Sequence, residues 1–420
     1  MATSTRLRRF VLLAALNLAA IFGFAATPPP HPWPSEPQFL PVTPDRIAAL
    51  PAAEQPAWRA YWSASQALAA QLPKREAFVT PSTQKLEGTG IPGKHSRGLQ
   101  LNATKEWYAG DAARTIADGV VGYQSKAGGW TKGNDYTKPI TEKSGGANVW
   151  SGGTLDNDAT TWEMRFLALA AAATADAAAA AKWRESFVRG LRYVMAAQYP
   201  NGGFPQIYPL AGGYHDAITF NDDAMVQALE LLRDIGAGKP EFAFVPADLR
   251  AEAGPRVARG LRCILATQLK DATGRPNVWC QQHDALTLRP CAARNFEPIA
   301  ACTNESASTV RFLMTISNQS AETVASIKGA IAWLEMTAQR DLAWSRASGV
   351  GTLVDRPGAP PLWARMYEIG SDKPIFGDRD RTVHYAVAEL SSERRNGYAW
   401  YGTWPARALE EFKAWSAQNR

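Results

Sequence analysis

An internal repeat of about 70 residues determines which folds this chain can adopt. Three helical segments end in Gln and lead into loops rich in Gly and aromatic residues; Gln124, Gln198 and Gln268 lie 74 and 70 residues apart. A second kind of segment begins with acidic or amide residues and becomes an apolar helix. It occurs as "DNDATTWEMRFLALA", "NDDAMVQALELL" and "NESASTVRFLMTI". Apolar residues at i, i+4 and i+7 predict one buried stripe on such a helix.

Each unit therefore holds two helices and an elaborated loop. Because a helix pair cannot bury its apolar face alone, such units stack side by side. Three units that close on themselves form a mainly α, incomplete toroid of helix pairs, with long irregular loops lining a cleft at one mouth. Loops on a rigid helical scaffold are where function is expected. A solenoid of unrelated function is the alternative.

The N-terminus has the pattern of a secretory signal. Residues 1–25 combine a basic start, an apolar run and small residues before an expected cleavage near Ala25 or Ala26. We therefore expect an exported protein, secreted or periplasmic; an uncleaved anchor is the alternative. Residues 26–95 are expected to form a Pro-rich arm and a helix, beginning near Ile47, that packs on the core. Residues 96–420 are expected to form the main domain.

The charge balance limits the partners. The net charge is +6 and the pI about 9.1, but the chain has no run of five or more Lys/Arg and no nucleic-acid-binding signature. We expect no nucleic acid and no membrane after signal cleavage. An acidic extracellular polymer is the better partner for an exported, monomeric protein.

Four cysteines fall in one 40-residue window: Cys263, Cys280, Cys291 and Cys302. In an exported protein this even count predicts one or two disulfide bridges, with three possible connectivities. Buried, unpaired thiols are the alternative. No CxxC pair indicates a zinc site.

Several motifs, in order along the chain, carry a family resemblance. They read "GGWTKG" (128–133), "TLDNDAT" (154–160), "YPNGGFPQIYP" (199–209), "ITFNDDAM" (218–225), "WCQQHDALTLRPCAARNFE" (279–297), "NESAS" (304–308), "PLWARMYEIGSDKPIFGDRD" (361–380) and "ERRNGYAWYGTWP" (393–405). With them the chain resembles the family-10 pectate (polygalacturonate) lyases. The resemblance implies an incomplete (α/α)3 toroid and β-elimination assisted by Ca²⁺. The chain departs from the family where Gly133 precedes Asn134 and in "PIAACTNES" after the expected catalytic Arg.

The resemblance also implies roles for individual residues. Arg294 of "CAAR" is the base that removes the C5 proton of a uronate. Because Arg is ordinarily always protonated, this role requires desolvation or neighbouring positive charge. The expected substrate-binding residues are Lys132, Trp130, Arg379, Arg395 and Tyr398.

Three carboxylates, Asp156, Asp222 and Asp223, are the candidates for binding Ca²⁺, which takes 6–8 oxygen ligands in flexible geometry. Each also stands directly before an apolar helix, where Asp is a favoured N-cap. One Asp of the doublet is expected to bind the cation while its neighbour caps; the sequence does not decide which.

Two other functions remain open at this point. Asp156 and Asp222 also suit a glycoside hydrolase of a helical-toroid fold, and a non-catalytic uronan-binding protein would keep the same cleft. His283 in "QQHDA" is interpreted as a hydrogen-bonded structural residue, since the five His residues are scattered.

Overall fold

The structure is a computed structural model that describes residues 31–32, 40–72, 96–138, 152–347 and 349–418. The expected signal segment 1–25 and most of the Pro-rich arm lie outside these residues. None of the described helices is both long and apolar enough to cross a membrane.

Helices dominate the described residues, as the repeat predicts. They are α1 (Pro44–Ala48), α2 (Gln55–Ala70), α3 (Lys105–Ala109), α4 (Asp111–Tyr123), α5 (Thr161–Ala173), α6 (Ala177–Ala197), α7 (Ala224–Gly236), α8 (Ala247–Thr267), α9 (Thr303–Met314), α10 (Ala321–Met336), α11 (Ser392–Gly397) and α12 (Trp404–Gln418). Helices α5, α7 and α9 pack side by side as an inner layer, and α4, α6, α8 and α10 form an outer layer around them. The mainly α, toroidal arrangement of helix pairs is confirmed.

The repeated glutamines join consecutive units of the outer layer. Each follows the last residue of an outer helix and uses its side-chain amide twice. Nε2 of Gln124 donates to Gly128 O (2.7 Å) in its own loop and to Ser186 O (2.9 Å) in α6. Gln198 does the same with Gly202 O and Arg256 O in α8, and Gln268 with Asn277 O and Ser326 O in α10. We call this feature the glutamine clasp.

Glycine is required where a clasped loop approaches the next outer helix. Gly128 and Gly202 have φ of +101° and +96°, and a Cβ on them would lie 2.7 Å from Arg189 O and 2.2 Å from Arg259 O. In the third unit the glycine has moved to the helix: a Cβ on Gly329 would lie 2.3 Å from Pro276 O. The contact is therefore preserved although the sequence pattern is not.

The strands are short and lie in the segments outside the helices. They are β1 (His31–Pro32), β2 (Ile218–Thr219), β3 (Gln282–His283), β4 (Pro290–Cys291), β5 (Ala301–Cys302), β6 (Leu342–Ser345), β7 (Thr352–Asp355), β8 (Trp363–Ala364), β9 (Met366–Tyr367), β10 (Phe376–Gly377), β11 (Thr382–His384) and β12 (Tyr401–Gly402). They form antiparallel sheets in the orders β1-β11-β10, β12-β8, β2-β3-β4, β5-β9 and β6-β7.

The sheet β2-β3-β4 aligns two parts of the site. Ile218 pairs with His283, and Gln282 pairs with Cys291. Because β2 and β4 are both antiparallel to β3, their carboxyl ends leave the sheet at the same edge. The turn with Asp222 follows β2 and the loop with Arg294 follows β4, so both emerge on one side.

The predicted disulfides are wrong. Cys263, Cys280, Cys291 and Cys302 are all buried and unpaired. Cys263 belongs to the buried face of α8, whereas the Cys280 thiol donates to Cys291 O (3.7 Å) and the Cys302 thiol to Ala300 O (3.4 Å). Burial of this kind is typical of Cys used as a small apolar side chain.

The helical pattern predicted from Ile47 onwards is confirmed in α1 and α2. These helices pack against the loop after α6: the Trp58 and Tyr199 ring centroids lie 5.1 Å apart, and Tyr61 OH donates to Ala197 O (3.0 Å). Nη2 of Arg46 in α1 also donates to both carboxylate oxygens of Asp284 (2.7 and 2.9 Å). The segment is therefore packed onto the loops that follow α6 and β3.

Candidate active site

Two strained turns form the acidic part of the site. Each is a 3-10 turn directly before an inner helix, Asp156–Asp158 before α5 and Asn221–Asp223 before α7. Asn157 and Asp158 have φ of 52° and 66°, and Asp222 and Asp223 have φ of 50° and 60°. Non-glycine residues in this left-handed region are strained, and such strain clusters at functional sites.

The doublet does not cap its helix. The N-terminus of α7 has no side-chain capping hydrogen bond, although Asp223 occupies the N-cap position, and the turn before it has none either. The N-cap interpretation of Asp222 and Asp223 is therefore wrong in this structure. Asp222 Oδ2 instead accepts a hydrogen bond from Asn221 Nδ2 (2.9 Å).

Asn157 links the two turns. Its Nδ2 donates to Asp156 Oδ1 (2.7 Å) and to Asp222 Oδ2 (3.4 Å). The other oxygen of Asp156 is paired with Lys132. The structure thus brings Lys132, Asp156 and Asp222 together, although 90 residues separate the first from the last.

Burial and neighbouring charges both act on the Asp223 carboxyl. Burial raises the pKa of its carboxyl to about 7; the charges of Glu305, Asp158 and Asp222 add to this and a hydrogen bond from Ser308 opposes it. Its Oδ1 is buried and has no hydrogen-bond partner among the described residues. A carboxylate in this state gains from a bound cation or proton.

A buried ion pair supports the doublet from behind, and the sequence reasoning did not identify it. Arg365, 5% exposed, pairs with Glu305 and lies 4.0 Å from Asp222 Oδ1. Its Nη2 also lies 3.4 Å from Asn221 Oδ1. Strands β5 and β9 bring the pair together, since Cys302 pairs with Met366. The only sequence signal was an Arg inside the apolar motif "PLWARMY".

Arg294 is paired with Glu297 in the structure. Its Nε donates to Glu297 Oε2 (2.7 Å) and its Nη2 to Oε1. Its side chain is 44% exposed, whereas that of Glu297 is 2% exposed. Burial works against the charge of Arg294, but Glu297 outweighs burial and raises the Arg294 pKa above its ordinary value. In this arrangement Arg294 is a charged guanidinium.

Tyr398 connects the arginine to the acidic turns. Its hydroxyl donates to Glu297 Oε1 (3.0 Å) and accepts from Gln281 Nε2 (3.3 Å), and its ring lies 5.2 Å from Arg365 Cζ. Tyr398 is only 9% exposed. Its observed role is therefore to hold Glu297.

Three guanidinium groups surround the Phe296 ring. The Cζ atoms of Arg294, Arg379 and Arg394 lie 4.8, 5.3 and 4.2 Å from its centroid. Arg379 is paired with Glu393 (2.8 Å), and its side chain is 59% exposed. The predicted Arg395 instead donates to Ala388 O (3.1 Å). The structure thus brings Arg394, rather than Arg395, to this basic group.

The predicted sugar contact of Trp130 is wrong. Trp130 is 0% exposed, and its indole N–H donates to Val120 O (2.7 Å). A fully buried ring with a satisfied N–H has no face left for a ligand. Trp130 instead anchors the loop that carries Lys132.

Tyr214 is a further residue of the cleft that the sequence reasoning missed. Burial raises its pKa to about 12, and the charges of Arg294, Glu297 and Asp156 act on it. It therefore lies between the acidic and basic sides of the site. Its loop is held by Asp216 Oδ1, which accepts from Gly212 N (2.8 Å) and Ala211 N (3.1 Å).

His283 is structural, as predicted. It is fully buried, its Nδ1 lies 3.1 Å from Leu288 O, and burial lowers its pKa to about 4. Within the described residues, no group of three or more His, Cys, Asp or Glu side chains is arranged to hold a metal ion. A cation bound here therefore needs further ligands from water and substrate.

The model of the pectic acid lyase family matches residues 124–409, more than half of the chain. The chain belongs to this family. Among solved structures it is similar to the family 10 polysaccharide lyase from Cellvibrio cellulosa, with 31% identity, a TM-score of 0.66 and coverage of 76% of this chain and 97% of that chain. An aspartate-to-alanine mutant of the Cellvibrio lyase, in complex with trigalacturonic acid, matches at 30% identity with the same coverage and TM-score. No curated protein matches this chain.

The protein is thus a polysaccharide lyase with a helical toroid fold, and its family acts in pectin degradation. Membership of a lyase family favours elimination over the alternative of hydrolysis by an Asp pair. The presence of Lys132, Asp156 and Arg294 around one cleft also favours an enzyme over a non-catalytic binding protein.

Proposed function

We propose that this lyase cleaves polygalacturonate by Ca²⁺-assisted β-elimination. The observation that carries the proposal is the convergence of two acidic turns with a basic group in one cleft. An anionic polymer needs cationic side chains for its carboxylates, which Lys132 and Arg379 offer. The trigalacturonic acid bound by the Cellvibrio relative has the same chemistry.

Asp156, Asp222 and Asp223 are the residues proposed to hold the cation. They fit a hard cation because their oxygens lie at adjacent turns, because neither these turns nor the helices after them have a side-chain capping hydrogen bond, and because a buried Asp223 oxygen lacks a partner among the described residues. A bound Ca²⁺ supplies Lewis-acid stabilisation of the charge that spreads into the uronate carboxylate as C5 loses its proton.

Arg294 is proposed to take the C5 proton, with the C4 oxygen leaving to give a C4–C5 double bond. Its pairing with Glu297 opposes this role, since it holds the guanidinium in its charged form. We infer that Arg294 leaves Glu297 and gives up one proton to solvent before it reacts, so that the neutral guanidine accepts the C5 proton. Its 44% exposed side chain has the freedom to do so.

The direct test is an ultraviolet product assay on polygalacturonate with Ca²⁺ at alkaline pH. Elimination gives a conjugated product, so absorbance is expected to rise, and a chelator is expected to stop it. Arg294→Ala is expected to abolish turnover while substrate binding is largely kept. A near-normal rate in this variant means that another group is the base.

Glu297→Gln tests the protonation state of Arg294. Removing the carboxylate charge lowers the Arg294 pKa, so the rising alkaline limb of the pH–rate profile is expected to move to lower pH. An unchanged limb would show that Arg294 titration does not control the rate.

We also propose that residues 1–25 direct export and are removed near Ala25 or Ala26. Mass spectrometry of the protein from the producing cell's exterior or periplasm measures the new N-terminus. Intact protein that begins at Met1 and stays inside the cell would contradict this proposal.

A further inference from the structure

A hydrogen-bonded turn presents Lys132. The side-chain amide of Asn134 donates to Thr131 O (2.8 Å) and to Tyr136 OH (3.0 Å), and the Thr131 hydroxyl donates to Asn134 Oδ1 (3.3 Å). Lys132 lies within this turn, beside Thr131. The Asn134 that follows the extra Gly133 therefore ties the turn closed.

The turn is fastened to a buried carboxylate. Tyr136 OH donates to Glu163 Oε1 (2.9 Å), and both residues are 0% exposed. Ser96 Oγ donates to the same oxygen (3.0 Å). Glu163 lies in the first turn of α5, the helix that follows the Asp156 turn. One side chain thus joins the two segments that carry Lys132 and Asp156.

Packing alone does not account for Glu163. A fully buried carboxyl destabilises a fold unless its oxygens are paired, and Glu163 Oε2 has no partner among the described residues. What the connection does supply is a fixed backbone beneath Lys132. The Lys side chain is 36% exposed and is paired with Asp156, and a long side chain of this kind loses rotamer entropy when it is held against a ligand.

We propose that Glu163 is a positioning residue: through Tyr136 and Asn134 it fixes the turn that presents Lys132 to a uronate carboxylate. The inference rests on the proposed function, in which Lys132 binds the substrate. Glu163 itself does not touch the substrate. Its effect is expected in ground-state binding, since a Lys that holds a carboxylate away from the reacting atoms binds substrate and transition state alike.

Tyr136→Phe tests the link with the smallest change, because it removes one hydroxyl. KM for polygalacturonate is expected to rise about fivefold, with kcat within about twofold, as for the loss of one buried hydrogen bond that acts through binding. The matched control is Ser96→Ala, which removes the other donor to the same Glu163 oxygen but lies off the path to Lys132. It is expected to leave KM unchanged.

A double-mutant cycle separates positioning from general stability. In a Lys132→Ala background, Tyr136→Phe is expected to have no further effect on KM. Glu163→Ala is expected to raise KM as much as Tyr136→Phe does. Glu163→Gln keeps an acceptor for the Tyr136 hydroxyl, so its KM is expected to return to the wild-type value. A fivefold rise in both backgrounds, or equal effects of Ser96→Ala and Tyr136→Phe, would overturn the inference. If the wild type releases no unsaturated product, the proposed function itself has failed; if only the variants leave KM unchanged, this inference alone has failed.

Discussion

Replacement of Glu163 by Gln is expected to change the pH dependence of stability. Burial raises the pKa of the Glu163 carboxyl from 4.5 to about 7, although hydrogen bonds from Tyr136 and Ser96 oppose the shift. The folded protein therefore holds this proton more tightly than the unfolded chain does. Its stabilising contribution is complete below pH 4.5 and is lost as pH rises through about 7.

The size of the effect follows from the shift. A shift of about 2.5 units corresponds to about 3 kcal/mol, of which about 2.5 kcal/mol falls between pH 5 and pH 8. Gln does not ionise, so the Glu163→Gln variant escapes this loss. Relative to the wild type, the variant is expected to gain about 2.5 kcal/mol between the two pH values.

The measurement is urea unfolding of both proteins at pH 5 and pH 8, with a chelator present, followed by tryptophan fluorescence. Other groups that titrate in this range, Asp223 among them, are common to both proteins and cancel in the difference. The control is Glu185→Gln on α6, where the side chain is 75% exposed; its difference from the wild type is expected to be small at both pH values. If Glu163→Gln differs from the wild type by the same amount at pH 5 and pH 8, the carboxyl does not titrate as argued.

Three further predictions concern the cation, a loop and a buried ring. Asp222→Ala and Asp223→Ala are each expected to raise the Ca²⁺ concentration needed for half-maximal activity, and the larger increase identifies the main ligand; unchanged Ca²⁺ dependence in both would exclude the doublet. Gly202→Ala is expected to destabilise the protein by at least about 2 kcal/mol in urea unfolding. Gly212 also has positive φ, but no atom lies within 4 Å of an added Cβ, so Gly212→Ala is expected to destabilise the protein less than Gly202→Ala does. Equal losses of stability in the two variants would show that the structure relieves the clash at Gly202. His283, with a pKa lowered to about 4, resists protonation, so between pH 6.5 and pH 4 the wild type is expected to lose about 2.5 kcal/mol more stability than the His283→Gln variant; an equal change in both proteins would contradict this.

The sequence predicted the parts of the fold that repeat. Gln124, Gln198 and Gln268 marked the ends of outer helices because one amide has the same two acceptors in each unit. The acidic helix starts were likewise visible, since Asp156 and Asp222 precede apolar helices at corresponding places. The repeat reveals such features because each recurs at the same place in every unit.

The remaining parts depend on contacts that leave no local pattern. Arg365 meets Glu305 only because two-residue strands pair across about 60 residues of chain. Trp130 was assigned to substrate because composition does not tell a buried indole from an exposed one. The cysteines were assigned to disulfides because their count, rather than the direction of their side chains, was all that the sequence offered.

The glutamine clasp also decides where the chain can be shortened. In each clasp the second acceptor belongs to the following outer helix, and for Gln268 that acceptor is Ser326 O in α10. In a protein that stops before α10, the buried Gln268 side-chain amide lacks one of its two acceptors. This happens at a helix end, where backbone carbonyl groups already lack partners within the helix. A fragment must therefore contain α10, one helix beyond the last repeat, if the third clasp is to form.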